Sequence, residues 1–568
     1  MYMRRLVEFA EQHDNDLPPI GYARKSYQWT AVITNDDQFE FFPAGRDDQR
    51  IIPDRSRSSG VSPILLTDKA EYVLQLSKNP SDAKAEARAA ECHRAYLKLL
   101  NECSEATQND VIKKIVHILE CKNWRMQEGM KPEDIILFRA ETDYFPHEAK
   151  EVKEFWATAI LNANLKGGVD RVCFICGRSA PAVKRHSITF ALGKDRAKLI
   201  SANDSAYFSY GLENSEISPT CFVCEQKYGQ ALSFLLQKYA SKDRRGGPNM
   251  IQVGDVTYVY WARQNESELA SALSLLATPD PEAVRRIVES PFRGTENHSN
   301  LHRVSILSLS ANKARLVVRE YMEPPVWQVK NQIGRFFRAQ QVTGARPSSI
   351  YLLAACMYRD GNKEIQKHDI EDWMNWALFG RRISERIASK ILRRIQAGGA
   401  MTWIQAAAIK SWLISQNKGE WTMDLDNARI TPPYLCGRLF AVLEAVQYEA
   451  VRGNETIASR YYSAASTTPR SIFGLLIRNS KWHLSKIGKV EKGYEIRYQQ
   501  RIQLISEQLY EFPTVLGLHE QAEFALGYYH ERQEIYKKKT DASVVDDLKN
   551  TNKDAIKEEK DNESESNY

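Results

Sequence analysis

The sequence predicts an α+β protein: a mixed α/β N-terminal region with a four-cysteine zinc module, followed by helical regions and a C-terminal helical bundle. Three observations carry this. Strand-like alternation with aromatics runs from Trp29 to Phe42, and two Cys-x-x-Cys pairs lie between Val172 and Leu236. From about residue 321 onward the apolar positions fall at helical spacing. With 568 residues, 43% apolar and 10% aromatic, the chain exceeds one core, because single cores stop growing near roughly 250–300 residues.

Residues 1–75 open with a short amphipathic helix that Pro18-Pro19 separates from the strands. The run GRDDQRIIPDRSRSSG, Gly45 to Gly60, is polar and charged and predicts a loop tethered between ordered elements. Residues 81–121 are rich in Ala and Leu, with Ala90, Tyr96, Leu97, Leu99 and Leu100 at helical spacing. Residues 321–420 are mostly helical, and Trp327, Trp373, Trp376, Trp403 and Trp412 are spaced for burial in a core. The block 434–540 has breakers at Gly453, Pro469, Gly488 and Pro513, so four or five helices fit and a bundle is the economical arrangement. After Lys539 the chain turns to Asp, Glu, Lys, Asn and Ser, the composition of a disordered acidic tail. The expected organisation is an α+β domain over 1–320, with the zinc module at about 170–236, and a helical connecting region over 321–422. The bundle follows over 423–540 and the tail over 541–568.

No run of about 18 apolar residues occurs, and Arg4, Arg5 and Glu8 interrupt the apolar positions of the first helix. Neither a membrane span nor a signal peptide is expected. Nine cysteines, an odd number, fit a reducing cytoplasm better than a disulfide framework. The formal net charge is +6, but the tail holds four Lys against nine Asp and Glu, which leaves +11 on the rest of the chain. Such a balance permits a polyanionic partner.

Cys173-x-x-Cys176 and Cys221-x-x-Cys224 are separated by 44 intervening residues. Four thiolates offered as two knuckles suit tetrahedral zinc and close its coordination sphere, so the metal expected here is structural. His186, inside the insert, is then left for surface or core. The Gly45–Gly60 loop gathers Arg46, Arg50, Arg55 and Arg57 beside Ser56, Ser58 and Ser59. Arginine forks onto guanine or phosphate, and small hydroxyl residues let the backbone approach DNA, although a solvated charged loop has the same composition. In RRISERIASKILRR, Arg381 to Arg394, the isoleucines at 383, 387, 391 and 395 share a face, and Arg382, Arg386, Lys390 and Arg393 share the adjoining one. That spacing gives a basic ridge able to follow phosphates, or an ordinary solvated amphipathic face.

P-loop, His-Glu-x-x-His and Gly-x-Ser-x-Gly signatures do not occur, and His368-Asp369 lacks the further ligands a metal phosphohydrolase needs. The competing classes are a zinc-containing nucleic-acid-processing enzyme, which needs a water-bearing metal or clustered carboxylates, and a scaffold that never touches DNA.

Three stretches share a pattern with a known family. The first is Arg57-Ser58-Ser59-Gly60-Val61-Ser62-Pro63, continuing to Asp68 and Tyr72-Val73-Leu74. The second runs from Leu199 to Pro219 as LISANDSAYFSYGLENSEISP, followed by Tyr228 and Ala231-Leu232. The third is the most specific: GRLFAVLEAVQYEA from Gly437, Asn454-Glu455-Thr456-Ile457, YYSAASTTP from Tyr461, Phe512-Pro513, and GYYHERQ from Gly527. In order and spacing, up to about residue 537, the chain resembles the large subunit of the type I-C CRISPR Cascade (surveillance) complex. It departs at Ile64-Leu65-Leu66, where the family pattern has polar residues. Zinc is read from this chain's own cysteines and not from the resemblance.

The resemblance implies a cytoplasmic binding and scaffolding subunit rather than an enzyme. Its implied partners are the CRISPR guide RNA, the Cascade backbone and guide-processing subunits, target double-stranded DNA with its displaced strand, and a helicase-nuclease. A small subunit made by internal initiation is implied too, with Met423 the expected start and Met401 the second candidate. In such a complex the guide reads sequence, and this subunit recognises the protospacer-adjacent motif and promotes pairing and R-loop formation. Motif recognition falls to the loop around Arg55, Arg57, Ser58, Ser59 and Gly60, with Thr67 and Lys69 as further candidates. Arg438, Arg452, Arg460, Arg470, Arg478 and Lys481 of the bundle are expected to steady the displaced strand. Tyr461, Tyr462, Trp482, Tyr528 and Tyr529 are read as core rather than as stacking platforms.

Overall fold

The segment IILFRA, residues 135–140, is apolar along nearly its whole length, and a strand of that kind belongs where both faces are covered. In the computed structural model it is an inner strand. The structure describes residues 2–537, apart from 35, 46–47, 56, 58–59, 166–168, 193–194, 203, 238–246, 254, 263–270, 290–302, 313, 399–400, 418 and 454. The chain divides into two compact units. One comprises Met1–Met250, Val256–Trp261 and Ser305–Met322, and the other Ile251–Asp255, Ala262–Val304 and Glu323 onward. Among the described residues no helix is long and apolar enough to cross a membrane.

The first unit begins with helix α1 (Tyr2–Gln12) and strands β1 (Tyr22–Ser26), β2 (Trp29–Ile33), β3 (Phe39–Pro43), β4 (Gln49–Pro53), β5 (Thr67–Lys69) and β6 (Ile135–Ala140). One sheet runs β3-β2-β6-β5, with β2 parallel to β6 and its other pairs antiparallel. β1 and β4 form a separate antiparallel pair that sets Tyr22 opposite Pro53. Helices α2 (Ala83–Thr107) and α3 (Asp110–Cys121) bury Tyr96, Leu100, Ile112 and Ile115 in one core with Ile136 and Phe138 of β6. Asp82 and Asn109 cap their N-termini by accepting backbone N–H bonds, as short polar side chains do there. From α4 (Lys150–Leu165), the Trp156 indole donates to the Gly21 carbonyl at 2.7 Å.

The face of α1 formed by Met3, Leu6, Phe9 and Ala10 packs elsewhere. It shares a second core with α5 (Phe222–Leu235), through Tyr228 and Leu232, and with Cys173 and Cys224. Short antiparallel pairs, β7 (Asp170–Val172) with β8 (Ser179–Pro181) and β9 (Phe190–Leu192) with β10 (Asp195–Ala197), lead into that core. Strands β11 (Val256–Ala262), β12 (Val304–Asn312) and β13 (Arg315–Met322) lie side by side and contribute Val259, Leu307 and Leu316 to it. The cysteine module is thus built into a core rather than hung from one.

In the second unit, α6 (Val326–Ala339), α7 (Lys367–Phe379), α8 (Glu385–Gly398) and α9 (Trp403–Ser415) bury Trp373, Trp376 and Trp412. Trp327 is 41% exposed and Trp403 half-buried, so only three of the five tryptophans spaced for burial lie deep in the core. Five helices follow: α10 (Pro432–Val451), α11 (Ile457–Thr467), α12 (Pro469–Val490), α13 (Lys492–Glu507) and α14 (518–537). Pro469 opens α12 at the first turn, where its missing N–H costs nothing. Gly488 does not break the chain as its residue type suggests. It lies inside α12, where a Cβ would overlap the Glu495 carboxylate.

Gly437 of α10 and Gly527 of α14 set how closely those two helices cross. A Cβ at Gly437 would overlap the Phe524 carbonyl oxygen, and one at Gly527 the Tyr434 carbonyl oxygen. Neither obstacle is the end of a flexible side chain, so the helices must separate to admit a methyl group. Gly437→Ala is expected to cost about 1–3 kcal/mol of stability despite alanine's better helix propensity. Urea unfolding checks this, and an unchanged or raised midpoint would refute the crossing.

Candidate nucleic-acid interface and cysteine centre

The cysteine knuckles come from two local structures. Cys173 and Cys176 lie in the turn between β7 and β8, where Gly177 at φ +75° lets the chain reverse and its N–H bonds the Cys173 carbonyl at 2.8 Å. Cys221 is the N-cap of α5 and Cys224 lies in its first turn. The four sulfurs all lie within 4.8 Å of one another, with Cys176 and Cys221 at 4.0 Å. A zinc about 2.3 Å from each sulfur needs tetrahedral edges near 3.8 Å, so the spacing fits a tetrathiolate. The Cys221 N–H points at the Cys173 sulfur at 3.4 Å. His186 is buried outside this set, its Nδ1 2.7 Å from the Tyr228 hydroxyl, and burial followed by nearby Lys198 lowers its pKa to about 4. Among the described residues these four cysteines are the one metal-suited cluster.

In the loop after β4, Arg57 is held rather than free. Its Nη2 donates to Asp68 Oδ1 at 2.6 Å and Oδ2 at 2.5 Å, its Nε donates to the Ser62 carbonyl at 2.6 Å, and its guanidinium lies over the Tyr72 ring. Asp68 is 2% exposed and also accepts from the N–H groups of Ile64 and Lys69, both at 2.7 Å. Burial raises the Asp68 carboxyl above its ordinary range, and the Arg57 bonds oppose that. Gly60, exposed at φ +80°, makes the turn inside this closure. Thr67 is buried with its hydroxyl donating to the Pro53 carbonyl, which removes it from any surface. Arg50 pairs with Glu148 at 2.7 Å and covers the Phe145 ring. Half-buried Arg55 and the Lys69 ammonium have no ion-pair partner among the described residues. Arg46, Ser56, Ser58 and Ser59 lie outside the described residues.

The isoleucines 383, 387, 391 and 395 are all buried, as their spacing predicts, but the basic ridge beside them is half spent. Helix α8 starts at Glu385, so Arg382 precedes it. Lys390 donates to Asp369 Oδ2 at 2.9 Å and to the Tyr358 hydroxyl at 2.5 Å, and Arg386 donates to Asp372 at 2.8 Å. Asp369, 0% exposed, gathers Lys390, Arg386 and Tyr358 around it. Arg382 and Arg393 are the ridge cations that stand exposed without a described partner.

The helices from α10 to α14 show the same division. Arg438 is not on the surface. It is 2% exposed and donates to Glu531 Oε2 at 2.9 Å and Asn427 at 3.0 Å, while Arg501 meets the other Glu531 oxygen. Tyr528 and Thr456 both donate to Glu444, at 2.7 and 2.8 Å, and Tyr434 lies 2.9 Å from His530 Nδ1. Burial, then Lys410, lowers the His530 pKa to about 3, so the ring is neutral. Arg452, Arg460 and Arg470 are exposed but paired, with Glu449, Glu455 and Glu511. Arg478 and Lys481 are exposed and have no ion-pair partner among the described residues. Tyr462, Tyr528 and Tyr529 are core as read from sequence, whereas Trp482 is 79% exposed.

The family model described as CRISPR-associated protein (Cas_Csd1) matches residues 4–536. This chain belongs to that family. It is accordingly a large subunit of type I-C Cascade. No curated protein matches it. Two features of this Cas_Csd1 chain escape a reading of its sequence: the pairing of Arg57 with Asp68, and the exposure of Trp482. Asp68 has a local signal, a lone carboxylate after the apolar run Ile64-Leu65-Leu66 in a segment that must turn into β5. Removing its charge is expected to free the loop. Asp68→Asn should speed tryptic cleavage after Arg55 and Arg57 several-fold while the rest of the digest pattern holds, and unchanged rates at those bonds would refute the closure.

Proposed function

We propose that this Cascade subunit reads the protospacer-adjacent motif of target double-stranded DNA with the loop between β4 and β5, and that it breaks no bonds itself. The observation that carries the reading is the closure of that loop by Arg57 on Asp68. A loop that recognises a short motif gains from being ordered before DNA arrives, because the ordering entropy is then not charged to binding. Arg57 is a positioning residue in this reading. Arg55, Lys69 and the backbone at Gly60 are the groups offered to DNA, with Arg46, Ser58 and Ser59 beside them in sequence. The guide RNA reads the remaining sequence, so few base contacts suffice, and opening the adjacent pairs starts R-loop formation. The exposed cations Arg382 and Arg393 supply phosphate contacts that do not depend on sequence.

The partners that follow are the guide RNA, the backbone and guide-processing subunits, the displaced strand and the recruited helicase-nuclease. A small subunit starting at Met423 completes the set, because α10 begins just beyond it, at Pro432, and such a product keeps the Gly437–Gly527 crossing and the Arg438–Glu531 pair. Copurification of the tagged chain with guide RNA and the neighbouring gene products tests this assembly. A tagged chain that brings down neither would count against it.

Zinc held by Cys173, Cys176, Cys221 and Cys224 is structural, because four thiolates leave no position for water. When bound, the metal cross-links the β7–β8 turn to the start of α5. Elemental measurement on reduced, chelator-free protein should give about one zinc per chain. Cys224→Ser should lose the metal and lower the thermal midpoint, and a zinc-free wild-type protein would sink this assignment.

Competition binding with correct and altered flanking motifs separates the arginines. Arg55→Ala is expected to cost about tenfold in discrimination, within the span of one base contact, and to leave the loop as protease-resistant as before. Arg57→Ala should lose discrimination and protease resistance together. Intact discrimination in both variants would remove the loop from the reading.

A further inference from the structure

Helix α12, PRSIFGLLIRNSKWHLSKIGKV, contains no carboxylate in its 22 residues. Its buried face is Phe473, Leu476, Ser480, Leu484 and Ile487. At 100° per residue, Arg478, Trp482, Lys486 and Lys489 fall on the opposite side within an arc of about 80°, and Lys481 lies about 60° outside it, on the flank of the helix. All five are exposed, Trp482 at 79%. Among the described residues none of the four cations has an ion pair or hydrogen bond, in contrast to Arg57, Arg386, Lys390, Arg438, Arg452, Arg460 and Arg470. Burial, and then the positive charge of Lys486, lower the pKa of neighbouring His483.

A tryptophan left in water is the feature that a plain cationic face does not explain. Lysines and an arginine alone would serve solubility, and Lys486 and Lys489 also suit the negative end of the helix. An indole there adds only exposed apolar area unless something stacks on it. The chemistry that satisfies both parts is a polyanion with free π-faces, which is a nucleic acid strand whose bases are unpaired. In a duplex the bases are already stacked on each other and offer no face to Trp482.

We propose that the outer face of α12 is a single-strand binding strip, in which Trp482 stacks on a base while Arg478, Lys481, Lys486 and Lys489 hold the flanking phosphates. This deepens, and rests on, the reading that the subunit handles opened target DNA. It moves the contact away from Arg438, Arg452, Arg460 and Arg470, whose charges are already met, and gives it a stacking residue. From Arg478 to Lys489 the strip runs about 16 Å along the helix, enough for a few nucleotides.

Fluorescence anisotropy of the full-length chain with a labelled oligo-dT tests it, against a duplex of equal length and an abasic oligomer as controls. Trp482→Ala should weaken oligo-dT binding about tenfold at unchanged salt slope, and leave duplex and abasic binding as they were. Lys486→Gln and Lys489→Gln should each reduce the slope of log K against log salt by about 0.7. Trp482→Lys is the discriminating variant. It adds a cation and removes the ring, so weaker oligo-dT binding supports stacking, whereas equal or tighter binding overturns it and leaves only a charged patch. Thermal midpoints of the Trp482 variants should match the wild type, because the side chain is almost free of neighbours. Wild-type binding to oligo-dT that ignores every Trp482 change would sink the strip and spare the broader reading. A wild-type chain that binds neither single strand nor duplex would sink both.

Discussion

A carboxylate taken out of water must be met by a cation or by several N–H groups, and Asp68, Asp369 and Glu531 impose that requirement at three places in the chain. Each is at most 2% exposed. Asp68 draws in Arg57 and two backbone N–H groups, Asp369 draws in Lys390 and Arg386, and Glu531 draws in Arg438 and Arg501. Leaving one partner of such a pair unmatched costs roughly 3–5 kcal/mol, far more than the pair adds over an apolar substitute. The carboxylates therefore fix geometry more than they add stability. Around them a loop is closed onto β5, α8 is tied to α7, and α10 and α13 are tied to α14.

The same requirement decides which basic residues remain for a partner. A formal charge of +6 treats all 78 Lys and Arg alike, yet many of them answer to charges inside the protein. Arg57, Arg386, Lys390 and Arg438 look from sequence like surface cations on a DNA-binding protein. In the structure they are components of the fold. The cations left over concentrate where the chain has no carboxylate to spend them on, and α12 is the plainest case.

Much of the architecture was legible because it follows from local spacing. The strands from Trp29 to Phe42, the helices over 83–121, the five C-terminal helices and the convergence of the four cysteines all rest on periodicity, turn residues or ligand spacing. What was not legible depends on partners distant in sequence. The apolar face of α1 is obvious from Met3, Leu6 and Phe9, but nothing local says that it packs on α5 and the cysteine module rather than on β2 and β3. Arg438 reads as basic until Glu531, 93 residues on, is seen beside it. Trp482 is different, since a signal was present. The positions 473, 476, 480, 484 and 487 define the buried face of α12, and 482 lies off it, so the preference of tryptophan for interiors misled where periodicity did not.

That the stretch from Gly437 and the stretch from Gly527 carry the most specific resemblance has a physical reason in the way α10 meets α14. The two glycines bring the backbones into contact, and the close approach leaves no room for side chains at the crossing. Polar groups on either side must then be satisfied within a narrow space: Arg438 with both Glu531 and Asn427, Tyr528 with Glu444, Tyr434 with His530. Each of these has a donor facing an acceptor at a fixed separation, so none can change residue type alone without stranding its partner. An apolar core tolerates exchange of one aliphatic side chain for another of similar volume, and its pattern blurs accordingly. Polar groups paired around a glycine crossing do not, and they therefore leave a readable sequence.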